Sequence, residues 1–211
     1  MTITQIITRM PYDSNVYLVR GSKNAVIDCG SGDDSDYIIS QIKILLGGDR
    51  LDMILLTHCH ADHAGGLKDF VDEFGCPAFC GPDAKFISMG TEATLSEMLF
   101  HKDFTPVDTA ELENGTVIDL GEHKLRVIYT PGHTSGGVSY YDEITRSLFS
   151  GDTLFANGVG RTDFDTGSAR ELVESLENLS KVDIKSLYPG HGNGSNDGNA
   201  MVRNGLHMMG V

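Results

Sequence analysis

Thr57-His58-Cys59-His60-Ala61-Asp62-His63 sets four side chains able to bind a metal, His58, His60, Asp62 and His63, within six residues. The apolar run Leu51-Asp52-Met53-Ile54-Leu55-Leu56 precedes it and a helical pattern follows, which predicts a strand-to-helix loop. Such loops are where α/β proteins carry their chemistry. His58 and His60, two apart on extended backbone, can turn both imidazoles to one side and share a metal. Asp62 and His63 open the helix, where the positive end of the macrodipole favours an ionised carboxylate and a neutral, metal-binding imidazole. They point elsewhere, which suggests a second metal. Cys59, between two inward-facing histidines, is expected to point away into packing.

Three later segments share this character of strand end, turn and metal-capable side chain. They are Tyr129-Thr130-Pro131-Gly132-His133-Thr134, Phe149-Ser150-Gly151-Asp152-Thr153 and Leu187-Tyr188-Pro189-Gly190-His191-Gly192. In each, the candidate ligand lies beside a Gly, which lets backbone and metal come close. Any one of them reads as an ordinary turn; the three together with His58 to His63 read as a site.

Around these loops the pattern alternates. Thr2 to Arg9, Asn15 to Arg20 and Asn24 to Asp28 read as a meander of strands, and Asp34 to Leu46 as a helix stopped by Gly47-Gly48. The loop Asp28-Cys29-Gly30-Ser31-Gly32 lacks the Gly-Lys-Ser/Thr ending of a phosphate-binding loop. Ala61 to Phe74 carries a second helical spacing, ended by Gly75 and Pro77, and Gly81 to Thr105 an irregular helical one that suggests a lid or side wall. Thr116 to Leu120, Lys124 to Tyr129, Gly137 to Tyr141 and Arg146 to Phe149 are predicted strands. Ala169 to Leu179 is a predicted helix, Lys185 to Tyr188 a strand and Asn199 to Met209 a closing helix. No repeat of 20 to 50 residues is visible. This order predicts an α/β fold in one domain, 1–211: a four-layer αβ/βα sandwich of two facing mixed sheets with helices outside.

The 211 residues suffice to bury a real core, and 25 Gly with 6 Pro suit a globular chain rich in tight turns. A formal charge of −14 argues against nucleic acid and against an anionic membrane surface as partners. No basic leader or long apolar stretch is present, so the expected location is cytoplasmic. Cys29, Cys59, Cys76 and Cys80 are too sparse for a disulfide framework and are expected as buried free thiols.

The series His-x-His-x-Asp-His, then His133, Asp152 and His191 in this order, resembles the metallo-β-lactamase superfamily over nearly the whole chain, and most nearly its glyoxalase II-like branch. The resemblance implies that His58, His60 and His133 hold one metal, that Asp62, His63 and His191 hold another, and that Asp152 bridges them. It also matches Asp28 to an acidic residue that supports the ligands from behind. Implied with it are two divalent ions, zinc or iron, and hydrolysis of a thioester of a small thiol by a metal-bridging hydroxide that Asp62 orients. The expected partner is then a small-molecule thioester, and a homodimer is left open. The chain is expected to lack the helical domain with which longer relatives bind glutathione. Gly160-Arg161-Thr162-Asp163-Phe164 resembles a segment found both in short hydrolases and in persulfide dioxygenases. The alternative is therefore a persulfide dioxygenase with one Fe(II) on His58, His133 and Asp152. Arg161 and Asp163 also read simply as a salt-bridged loop bracing the Asp152 turn. Met89, Met98, Phe100 and His101 are candidates for a pocket wall.

Overall fold

Successive side chains of Val16-Tyr17-Leu18-Val19 enter two different cores: Val16 and Leu18 lie under helices, Tyr17 and Val19 between sheets. Strands buried on both faces need near-continuous apolar runs, which this chain supplies. The computed structural model describes residues 2–211. One sheet has six strands, β1 (Thr2–Ile6), β2 (Val16–Arg20), β3 (Asn24–Ile27), β4 (Met53–Leu55), β5 (Ala78–Cys80) and β6 (Thr109–Glu111), in that spatial order. Its first three strands are antiparallel and the rest parallel. The other sheet runs β13 (Ser186–Pro189), β10 (Ser147–Gly151), β9 (Val138–Asp142), β8 (Lys124–Tyr129) and β7 (Val117–Asp119), antiparallel except for β10 with β13. A small hairpin, β11 (Leu154–Phe155) and β12 (Gly158–Val159), lies between β10 and the next helix.

Helices α1 (Ser35–Leu46) and α3 (Leu67–Phe74) cover the first sheet through Ile38, Ile42, Leu67 and Phe70. Helices α6 (Ala169–Leu179) and α7 (Gly198–Met208) cover the second through Leu172, Leu176 and Val202. The four layers are those expected from the sequence. Between the sheets, Tyr17, Phe149 and Tyr188 pack ring on ring, with centroids 5.1 to 5.4 Å apart.

Several details differ from the sequence reading. In place of one helix over Ala61 to Phe74, a short α2 (Ala61–Ala64) is separated from α3 at Gly65. A Cβ at Gly65 would lie 2.4 Å from the carbonyl oxygens of Ala61 and Ser31, so the break lets the Gly30 to Gly32 loop dock against this turn. Strands β5 and β6 were not read as strands, being three residues each, too short to show a period. The segment from Gly81 resolves into α4 (Ala84–Met89), a 3-10 turn (Glu92–Thr94) and α5 (Ser96–Phe100). The four cysteines are buried and unpaired, as expected. No helix among the described residues is long and apolar enough to cross a membrane.

Away from the ligand loops, the fully buried Asp142 ties two turns together. It accepts hydrogen bonds from His123 Nδ1 at 2.6 Å, Thr145 Oγ1 at 2.5 Å, Lys124 N at 3.1 Å and Ile144 N at 3.2 Å. Burial alone would push its carboxyl up; the hydrogen bonds from Thr145 and His123 and the two peptides outweigh it and hold the carboxyl below its ordinary 3.8. Asp142→Asn should lower stability to urea by about 1–3 kcal/mol at pH 7. Because the folded carboxyl titrates below the unfolded one, the deficit should be full above pH 3.8 and shrink as pH falls through the folded value. A deficit that grows on acidification would contradict this.

Candidate metal centre

All the candidate ligands sit just beyond the carboxyl ends of strands. His58, His60, Asp62 and His63 follow β4, His133 follows β8, Asp152 follows β10 and His191 follows β13. Asp28 follows β3. Two tyrosine hydroxyls cross the inter-sheet core to fix these ends: Tyr140 donates to Leu56 O at 2.7 Å, and Tyr17 to Pro189 O at 2.8 Å. Val138 N donates to Thr57 O at 2.8 Å, joining the two sheets beside His58.

Hydrogen bonds behind the rings settle which nitrogens face inward. Asp28, at φ +60° in the left-handed region, accepts from Thr57 N at 2.8 Å and from Thr57 Oγ1 at 2.9 Å. The Thr57 hydroxyl, its one proton so used, accepts from His58 Nδ1 at 3.1 Å. Asp28 also accepts from His63 Nδ1 at 2.8 Å, and the Arg161 carbonyl accepts from His133 Nδ1 at 2.7 Å. His58, His63 and His133 therefore turn Nε2 inward.

Those nitrogens meet. His60 Nδ1 lies 3.1 Å from His58 Nε2 and 2.9 Å from His133 Nε2. On the other side His63 Nε2 is 3.3 Å from His191 Nε2, which is 3.0 Å from Asp62 Oδ2. Asp152 stands between the groups, Oδ1 at 3.2 Å from His63 Nε2 and Oδ2 at 3.6 Å and 3.7 Å from His133 and His191 Nε2. His58, His60 and His133 form one set of donors within 4.8 Å of one another; Asp62, His63 and His191 form another; His58, His63 and Asp152 link them. Neighbouring nitrogens on a tetrahedral zinc stand roughly 3.3 Å apart, given bonds of about 2.0–2.1 Å. The spacing and the donor types thus fit metal ions, as does Asp152 Oδ1, which is buried without a hydrogen-bond partner of ordinary geometry. Gly190 belongs to the same fit, since a Cβ there would lie 2.2 Å from Asp152 Oδ1 and 2.6 Å from His63 Cε1.

The electrostatics divide the two halves. Burial pushes His58 well below its ordinary value, and burial with His133 nearby brings His60 to about 3. His63 is also penalised by burial, but Asp152, Asp28 and Asp62 overcome it and raise it well above 6.5. His191 is raised against burial by its hydrogen bond to Asp62. Burial disfavours the charged forms of Asp62 and Asp152 as well, yet His63 leads the neighbours that hold both carboxyls low. The carboxylate field that draws a proton to His63 is the field that would draw a cation.

Cys59 points away, its Sγ 3.3 Å from Ala93 O. Arg161 pairs with Asp163 through two contacts of 2.6 and 2.7 Å and lies over the Phe164 ring at 4.2 Å. This segment braces His133 through the Arg161 carbonyl as well as the Asp152 turn, against which Gly160 packs. Phe164, which the sequence did not single out as a wall, meets the His60 ring at 5.4 Å. It lines a groove of about 400 Å³ with Phe86, Ala93 and Leu95. Phe100 and His101 line a second hollow beside Asp62, Met98 borders a neighbouring one, and Met89 is exposed.

In a chain loaded with two divalent ions, acidification should displace the ion at Asp62, His63 and His191 first. Protons compete for imidazoles raised above 6.5, whereas His58 and His60 stay neutral to far lower pH. Metal per chain after dialysis from pH 7 downward should fall in two steps, and the earlier step should be missing in His191→Ala. One concerted step in both proteins would contradict the division.

A family model described as the metallo-beta-lactamase superfamily matches residues 9–191. A probable metallo-hydrolase of Methanocaldococcus jannaschii is 35% identical over 189 residues, 86% of this chain and 88% of its own. The hydroxyacylglutathione hydrolase of Francisella tularensis subsp. novicida is 34% identical over 144 residues, 67% of this chain but 50% of its own. Among solved structures, the B3 metallo-beta-lactamase BLEG-1 superposes with a TM-score of 0.82 at 29% identity, covering 95% of this chain and 96% of that one. TTHA1623 in a di-iron-bound form superposes at 0.77 with 30% identity, covering 92% and 94%. The ligand loops at the strand ends, the two facing sheets and these matches agree, and the chain belongs to the metallo-beta-lactamase superfamily of metal-dependent hydrolases.

Proposed function

We propose that this protein hydrolyses thioesters of small thiols with two divalent metal ions, zinc or iron. The observation that carries the reading is the second donor set: Asp62, His63 and His191 gather beside the three-histidine set, with Asp152 facing both. The partial match to a hydroxyacylglutathione hydrolase and the overall likeness to a di-iron-bound structure support it. A mononuclear persulfide dioxygenase would use a facial pair of histidines with one carboxylate, His58, His133 and Asp152, and leave four converging donors without a role.

When bound, the ions would supply Lewis acidity and bring the pKa of water near neutrality. His58, His60 and His133 would hold one and Asp62, His63 and His191 the other, with Asp152 reaching both. Asp62 is suited to orient the attacking water, because its side chain remains 17% exposed at the mouth while His191 fixes one carboxylate oxygen. A thiolate leaves readily, a free thiol titrating near ~8.5, so no separate acid is needed. The groove walled by Phe164, Phe86 and Leu95 offers an apolar bed for the acyl or thiol arm, joined to the site through the Phe164 ring beside His60.

Metal content of protein purified without added metal, measured beside four assays, tests the reading. The assays are hydrolysis of lactoyl thioesters of glutathione and of N-acetylcysteamine, hydrolysis of a β-lactam, and oxygen uptake with glutathione persulfide. Expected are two metals per chain, thioester hydrolysis, and a loss of about 100-fold or more in kcat/KM for His191→Ala. One iron per chain with oxygen uptake that survives His191→Ala would overturn it, as would β-lactam hydrolysis without thioester hydrolysis.

A further inference from the structure

Asp83 precedes α4 where a helix cap belongs, yet its side chain makes no hydrogen bond to that helix. It is fully buried, and no ion pair among the described residues engages it. One oxygen, Oδ2, accepts from the peptide N–H of Cys59 at 3.2 Å, the residue between His58 and His60. The other oxygen, Oδ1, is buried without a partner of ordinary geometry, and so is the hydroxyl of Thr134, the residue after His133. Burial raises the Asp83 carboxyl above its ordinary value, opposed by Thr134, the Cys59 peptide and thiol and the Gly136 peptide. The turn that carries Asp83 is pressed onto the His133 loop: a Cβ at Gly136 would lie 2.4 Å from both Asp83 N and Asp83 Oδ1. A Cβ at Gly81 would lie 2.2 Å from Val138 Cγ1 and 2.9 Å from Gly136 O. The other half of the centre is anchored elsewhere, His63 on Asp28 and His191 on Asp62.

We propose that Asp83 is a positioning residue for the three-histidine half of the metal centre, clamping the loop of His58 and His60 to the loop of His133 from behind. A carboxylate kept dry and without a cation of its own is costly unless it is hydrogen-bonded. Its place is explained if it fixes the distance between two ligand loops that arise from different sheets. The role requires metal binding only and is independent of which bond the enzyme hydrolyses.

The test separates the halves of the centre. In a His191→Ala background the three-histidine set is left intact; in a His60→Ala background the Asp62, His63 and His191 set is. Zinc affinity of the metal-free proteins is measured by chelator competition in each background with Asp83→Ala, Asp83→Asn and Thr134→Val, and folding is checked by circular dichroism. Asp83→Ala should weaken zinc by about 10- to 100-fold in the first background and by less than about 3-fold in the second. Asp83→Asn keeps an oxygen for the Cys59 peptide and should recover most of the loss. If Asp83→Ala does not fold, Thr134→Val carries the test, with a measurable loss of zinc affinity confined to the first background. Equal losses in both backgrounds, or no loss in the first, would overturn the proposal.

Discussion

Ring nitrogens are held 2.9 to 3.3 Å apart between His60 and both His58 and His133, and between His63 and His191, and the structure is built to keep them there. The outer N–H groups of His58, His63 and His133 are committed to Thr57, Asp28 and the Arg161 carbonyl, which turns their Nε2 atoms inward. A cation held among them would make the arrangement more favourable. Asp28 is the hub of this constraint, since it fixes His63 directly and His58 through the Thr57 hydroxyl while occupying an uncommon left-handed backbone region.

The sandwich supplies the rigidity. Each ligand loop starts at a strand end whose position is set by packing on both faces of its sheet. Buried tyrosines reach from one sheet to the backbone of the other, Tyr140 to Leu56 before the first cluster and Tyr17 to Pro189 before His191. Loops that would otherwise move independently are thereby held at separations that suit metal bonds. The cost of gathering like groups is met by folding, before any metal arrives. The clamp assigned to Asp83 extends the same logic to a third pair of segments.

The side chains that the fold gathers were legible in the sequence because each carries its signal locally. His58 to His63 is a dense cluster, and His133, Asp152 and His191 each follow a strand and a Gly. The layers were legible from helical and strand periods, as in α1 and α6. What the sequence hid depends on distant partners. An Asp just before a helix reads as a cap, so nothing in Pro82-Asp83-Ala84 betrays a side chain turned toward Cys59. The apolar spacing of Ala61 to Phe74 runs on across Gly65-Gly66, where the structure divides α2 from α3 and the Ser31 carbonyl comes close. Strand β6 is short, and Phe164 looks like any loop aromatic until the fold sets it against His60.

The central claim is that the inward donors form two adjoining metal positions. Anomalous-scattering maps from crystals grown with zinc, recorded on both sides of the zinc edge, address it most directly. The account predicts two peaks, one among His58, His60 and His133 and one among Asp62, His63 and His191, with Asp152 touching both. A single peak on His58, His133 and Asp152, with His191 turned away, would contradict it.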